Sequence, residues 1–208
     1  MENEGLIDTA LKNELRALYR AKDRHYHGLA HIEALLELAR EYRSAVSDPE
    51  ALEAAIWFHD AIYDSRAKDN EAKSAELART RLAGKTTVAR FERIAAMIEA
   101  TATHIVPELT DAGTKSDAAL LLDMDLSILG AAPAIYDAYE QAVRREYGWV
   151  DEPAWGIGRA TVLKTFLARP HIFHTQPFRE RYERRARDNM QRSLEQLTTP
   201  REGKEKSL

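Results

Sequence analysis

Apolar residues recur every three or four positions along almost the whole chain, and nowhere do they alternate strictly over the length of a strand. This periodicity restricts the chain to an all-α fold. Helices are predicted over 5–20 (Leu6, Leu11, Leu15 and Leu18 on the apolar side), 26–43, 69–83, 86–104, 116–129, 132–147, 158–168 and 177–197. A further helix opens at Asp48-Pro49, where Asp fits the N-cap and Pro the first helical position. Gly84, Gly130, Gly148 and Pro170 serve as stops. The stretches IVPELTDAGTKSD (105–117) and WVDEPAWGIG read as loops, and TTPREGKEKSL as a polar tail. There is no internal repeat. A domain boundary near 105–115 would split the cluster described next, so a single-domain helical bundle is expected over 1–198, with a frayed tail over 199–208.

Ionisable residues interrupt the apolar stripes at four places. His31 shares a helical face with Leu35 and Leu38, and His27 falls one turn earlier. His59 lies in AIWFHDAIYD, on the face of Leu52, Ala55 and Ile56, with Asp60 beside it. Asp125 interrupts the row Ala118, Leu122, Leu129. Buried charges need a partner, because their desolvation is expensive. One divalent cation could compensate His31, His59, Asp60 and Asp125 together. Two imidazoles and two carboxylates suit Mn, Fe, Co, Ni or Zn. Taken singly, each histidine could instead be a satisfied core residue, and Asp125 could cap a helix or pair with an arginine. In LLDMDLSILG, Asp123 and Asp125 point about 200° apart on a helix, so only one is expected to reach the ion. Asp125, within the stripe, is the candidate; Asp123 falls near its edge.

The 208 residues contain no cysteine, which excludes disulfides, thiolate metal sites and cysteine nucleophiles. A net charge of −4 gives no global attraction to nucleic acid or anionic membranes. The arginine-rich segment RERYERRARDNMQR has the acid-before-base order of a salt-bridged helix in Glu180–Arg184, Glu183–Arg187 and Asp188–Arg192, so nucleic acid is not an expected partner. No apolar run approaches the roughly 18 residues of a membrane span. The N-terminus is acidic, without a signal-peptide core, and the cytoplasm is the expected location.

The order His31, His59-Asp60, Asp125 resembles the H…HD…D signature of the HD-domain superfamily of metal-dependent phosphohydrolases. The segments RHYHGLAHI, WFHDAIYD, DNEAKSAELA, LLDMDLSILG, VRREYGWV, GRATVLKTFL and ARDNMQRSLEQL are similar to one bacterial family of predicted HD phosphohydrolases, over 10–197. The resemblance implies an HD-type helical bundle around a central metal, with His31, His59, Asp60 and Asp125 as ligands. It implies hydrolysis of a phosphate ester in a small nucleotide-like metabolite. The alternative is a metal-containing protein that binds or senses a nucleotide without turnover. Asp60, Glu71 and His104 are the candidate catalytic residues, Glu71 by the resemblance. Glu71 would act through water; it would otherwise pair with a nearby Arg or Lys on the helix surface. His104 follows the stripe of Ile94, Met97 and Thr101 and could bind phosphate, protonate a leaving group or be a structural buried histidine. It is the one histidine between the HD pair and Asp125, which favours one metal over two and a phosphohydrolase over a di-iron oxygenase. Arg24, Arg144 and Arg159 lie in family-like segments and are candidates for clamping phosphate. His27 is assigned with them to substrate binding. His171 and His174 receive no role, and the sequence leaves self-association open.

Overall fold

The computed structural model describes residues 5–199, and within them every regular element is helical. The helices are α1 (Thr9–Leu18), α2 (Leu29–Glu41), α3 (Pro49–Phe58), α4 (Asn70–Leu82), α5 (Val88–Ala100), α6 (Ala112–Leu126), α7 (Pro133–Glu146) and α8 (Glu152–Leu167). A last helix, α9, opens at Gln176–Phe178, passes through a π-helical turn at Arg179–Glu183 and continues as Arg184–Thr198. From residue 200 on, the expected polar tail lies outside the described residues. No single described helix is long and apolar enough to cross a membrane.

Side-chain caps explain where most of these helices begin. Asp8 accepts from the Leu11 amide at 2.8 Å, and Asp48 from Ala51 at 3.1 Å with Pro49 behind it. Asp111 accepts from Thr114 at 2.7 Å and Asp151 from Ala154 at 2.8 Å. The last two correct the sequence reading. α6 starts at Ala112, inside the expected loop, and α8 starts at Glu152, six residues before its expected first turn. In both places glycines and turn formers look like a loop, yet an Asp cap is enough to start the helix there. α2 is corrected in the other direction. It starts at Leu29, so His27 is in the preceding loop and not on the helical face of His31.

α3 is the axis of the core. Ala51, Leu52 and the whole run Ala54–Phe58 are buried, with α2, α4, α5 and α6 packed around it. Burying each large apolar side chain contributes about 1.5–3 kcal/mol. α9 closes the other side against α8 and the 3₁₀ turn Ser127–Gly130. Gly130 is required at that crossing, since a Cβ would lie 2.6 Å from that of Tyr182. Of the three ion pairs expected on the last helix, Glu183–Arg187 forms at 2.8 Å. Glu180 instead accepts from Gln176, and Arg192 pairs with Asp137 on α7. The arginines of this helix thus tie it to the bundle.

Candidate metal centre

The first turn of α2 and the last turn of α6 converge on the buried end of α3. α3 ends at Phe58, but His59 keeps helical backbone angles (φ −55°, ψ −37°) and its amide bonds the Ala55 carbonyl at 2.9 Å. The helical phase therefore carries through to His59, while Asp60 sits in the turn beyond. His31 enters from the first turn of α2, and Asp125 from the last turn of α6. His31 and His59 are 6% and 1% exposed, with Asp125 half-buried beside them.

His31, His59 and Asp125 form a group able to hold a metal ion. His31 Nε2 lies 3.2 Å from His59 Nε2 and 3.1 Å from Asp125 Oδ1. His59 Nε2 lies 3.8 Å from Asp125 Oδ1. Donor atoms bound at about 2.1 Å to one ion stand roughly 3.0–3.4 Å apart; His31 Nε2 is at that spacing from both His59 and Asp125, and an ion would draw the latter two slightly closer together. Asp60 Oδ2 is 3.2 Å from His59 Nε2 and 3.8 Å from His31 Nε2. His59 Nδ1 donates to the Ile56 carbonyl at 2.9 Å, which turns Nε2 toward the cluster. Two imidazole nitrogens facing each other at this distance need a proton or a cation between their lone pairs. The donor set thus fits a divalent ion in chemistry, and the donor atoms of His31, His59 and Asp125 lie close enough together to share one.

Charge in the cluster follows the same logic. Burial opposes ionisation of His59, but the Asp60 and Asp125 carboxylates outweigh it and raise its pKa to about 9. Burial likewise opposes Asp60 and Asp125; the neighbouring imidazoles nevertheless hold both well below the usual carboxylate range. In the metal-free protein this charge is linked to folding stability. The His59 contribution to stability is fully present below its unfolded pKa of about 6.5. It is lost as the pH rises through about 9. A metal must displace the same proton, so affinity should rise about tenfold per pH unit in that window. Urea melts and cobalt titrations at pH 6, 7 and 8 check both trends, and a pH-independent affinity would contradict them.

The surrounding residues divide into those the fold brings to the cluster and those it directs elsewhere. His104 Nε2 bonds Asp125 Oδ2 at 2.9 Å. It lies beyond the end of α5, in a left-handed backbone conformation (φ 51°), so the stripe expected for it does not apply. His27 lies alongside, its ring centroid 6.3 Å from that of His31 and stacked on Tyr63 at 4.4 Å. Glu71 is half-buried in the first turn of α4. The three arginines have other partners. Arg24 donates to the carbonyls of His27, Asp60 and Ala61 at 3.0, 2.6 and 2.8 Å. Arg144 bonds the Tyr147 and Val150 carbonyls and Glu152. Arg159 pairs with Glu140 and the Tyr139 hydroxyl. Asp123 is fully buried and bonds the chain just before α9. It accepts from the amides of His174 and Thr175 at 2.6 and 2.8 Å and from the Thr175 hydroxyl at 2.6 Å.

Glu146 was not singled out from the sequence. Its Oε1 accepts the amides of His25, Tyr26 and His27 at 2.7, 2.6 and 2.9 Å. Its Oε2 accepts from His27 Nδ1 at 2.6 Å and the Tyr63 hydroxyl at 2.8 Å. Burial pushes the carboxyl up, but His27 and the amides more than offset it and bring it to about 2. Burial also opposes the His27 imidazolium, and Glu146 outweighs it, raising the His27 pKa. A signal was available: Tyr136, Tyr139, Val143 and Glu146 are spaced 3, 4 and 3 along α7, so Glu146 interrupts an apolar stripe as Asp125 does. Comparisons with protein-family models, curated proteins and solved structures gave no match to this chain.

Proposed function

We propose that the chain is a metal-dependent phosphohydrolase acting on a small phosphorylated metabolite such as a nucleotide. The observation that carries this reading is the convergence of His31 Nε2, His59 Nε2 and Asp125 Oδ1 within metal-sharing distance, with Asp60 Oδ2 beside them. His31, His59 and Asp125 would hold the ion, with Asp60 as the fourth donor. A divalent ion at this position supplies Lewis acidity toward a phosphoryl oxygen and acidifies water. Four protein donors leave room in a six-coordinate sphere, and the donor set admits Mn, Fe, Co, Ni or Zn.

The other functional parts come from the chain itself. Glu146 holds His27 by Nδ1, so the proton available to a substrate is on Nε2. Tyr63 stacks on the ring and fixes its plane. A protonated His27 beside the cluster is placed to bind a phosphate oxygen or to protonate a departing alkoxide. His104 is engaged with Asp125 and acts in this scheme by orienting that carboxylate. Arg24 orients the turn that carries Asp60.

The first test is turnover of a panel of nucleotides and phosphomonoesters with added Mn, Co or Mg. Asp60→Ala should abolish activity while the helical circular-dichroism signal is kept. Metal and nucleotide binding without turnover would replace this reading with a sensing one. Leaving-group dependence isolates His27. His27→Gln should slow hydrolysis of alkyl phosphates by about 100-fold and of p-nitrophenyl phosphate by less than about tenfold, because a good leaving group needs no proton. Equal losses on both substrates would remove His27 from the proton-donor role.

A further inference from the structure

The connection from α8 to α9, residues 168–175, is tied to the end of α5 and to α6 by more polar contacts than joining two helices requires. Its focus is His104. Among the described residues, His104 is the one non-glycine with positive φ, at 51°. Side chains other than those of Asn, Asp and His seldom adopt that region, and glycine does so most easily. The conformation here is held from two sides. Arg169 donates to the His104 carbonyl at 3.1 Å and to the Thr103 carbonyl at 2.9 Å. His174 Nε2 donates to the same His104 carbonyl at 3.1 Å. Arg169 also lies over Phe166 at 4.5 Å, and Phe166 meets the His104 ring edge-on at 5.8 Å. His174 is itself held by Asp123, two residues before Asp125 on α6.

A left-handed backbone held by this many partners fixes the direction in which the His104 side chain leaves the chain. Among the described residues, the His104 imidazole makes one polar side-chain contact, the 2.9 Å bond to Asp125 Oδ2. That bond leaves Oδ1 aimed at His31, 3.1 Å away. We infer that Arg169 and His174 are positioning residues of the metal centre, acting through His104, whose left-handed backbone they hold so that its imidazole fixes Asp125. This gives His174, in the segment RPHIFHT, a role that its sequence does not suggest, and it rests on the reading that the cluster binds a metal.

The experiment is titration calorimetry of the full chain with cobalt chloride, alongside the visible absorption of the cobalt-loaded protein. His104→Asn accepts the left-handed backbone but is too short to reach Asp125, so it should weaken cobalt binding by about 10–100-fold. Arg169→Ala and His174→Ala should each weaken it by about tenfold, and Arg169→Lys should restore part of the loss. The double variant Arg169→Ala/His104→Asn should bind no more weakly than His104→Asn alone, because Arg169 acts through His104. If Arg169→Ala fails to fold, the same cycle is read with Arg169→Lys. Wild-type affinity in His104→Asn, or fully additive losses in the double variant, would overturn the positioning role while leaving the metal reading intact. A folded wild-type protein that binds no cobalt would overturn both.

Discussion

Glu146→Ala is expected to lower folding stability by about 3–5 kcal/mol, the range for removing one member of a buried, hydrogen-bonded charge pair. The substitution strands three amides of the loop before α2, the His27 imidazole and the Tyr63 hydroxyl at once. Each buried donor left without a partner costs about 1–3 kcal/mol, and water entering the space recovers part of it. The same bonds predict acid sensitivity. The folded Glu146 carboxyl titrates at about 2, below its ordinary value of 4.5. Its contribution to stability is therefore complete above about 4.5 and disappears as the pH falls through about 2. Urea unfolding of the metal-free protein, repeated from pH 7 down to pH 3, reads both effects. A loss under about 1 kcal/mol in Glu146→Ala would mean that the loop is held by other contacts.

The second large effect separates two carboxylates of one helix. Asp125→Asn should weaken divalent-metal binding by about 100-fold or more, because a neutral amide replaces a charged oxygen donor. Asp123→Asn should weaken it by less than about tenfold and cost about 1–2 kcal/mol of stability, since the carboxylate binds the 174–175 backbone and reaches the cluster only indirectly, through His174. The two residues are neighbours in sequence, yet one meets His31 and the other meets Thr175. Parallel metal titrations and thermal melts distinguish them. The reverse ranking would place the ion on the opposite side of α6 and displace Asp125 from the site.

The His31, His59 and Asp125 cluster is readable in the sequence for a reason that also explains where the rest is not. A charged residue within an apolar stripe is conspicuous wherever the helix is real and its phase is kept, as at His31, His59 and Asp125. His59 lies past the last residue of α3, but the backbone stays helical for one more residue and the phase holds. At His27 and His104 the expected helices extend too far. Both residues reach the cluster neighbourhood through loop geometry that no period describes. Glu146 satisfies the same stripe criterion, but it stands in VRREYG beside two arginines that could pair with it locally. Its partners are 83 to 121 positions away in sequence. For the arginines, composition says that a cation is present and nothing about which carbonyl or carboxylate claims it. Arg24, Arg144 and Arg159 are all engaged by backbone or by a local acid. Elsewhere the Asp caps at 111 and 151 were hidden among turn formers, which is why α6 and α8 begin earlier than expected.

The central claim, that His31, His59 and Asp125 share one divalent ion, is tested most directly by metal stoichiometry. Protein purified without chelator is equilibrated with an equimolar mixture of Mn, Fe, Co, Ni and Zn, freed of unbound ions and measured by elemental mass spectrometry. The expected result is about one bound ion per chain in the wild type and almost none in His31→Ala/His59→Ala, with helical circular dichroism retained in both. Well-folded wild-type protein carrying no ion, or a double-histidine variant that keeps its ion, would contradict it.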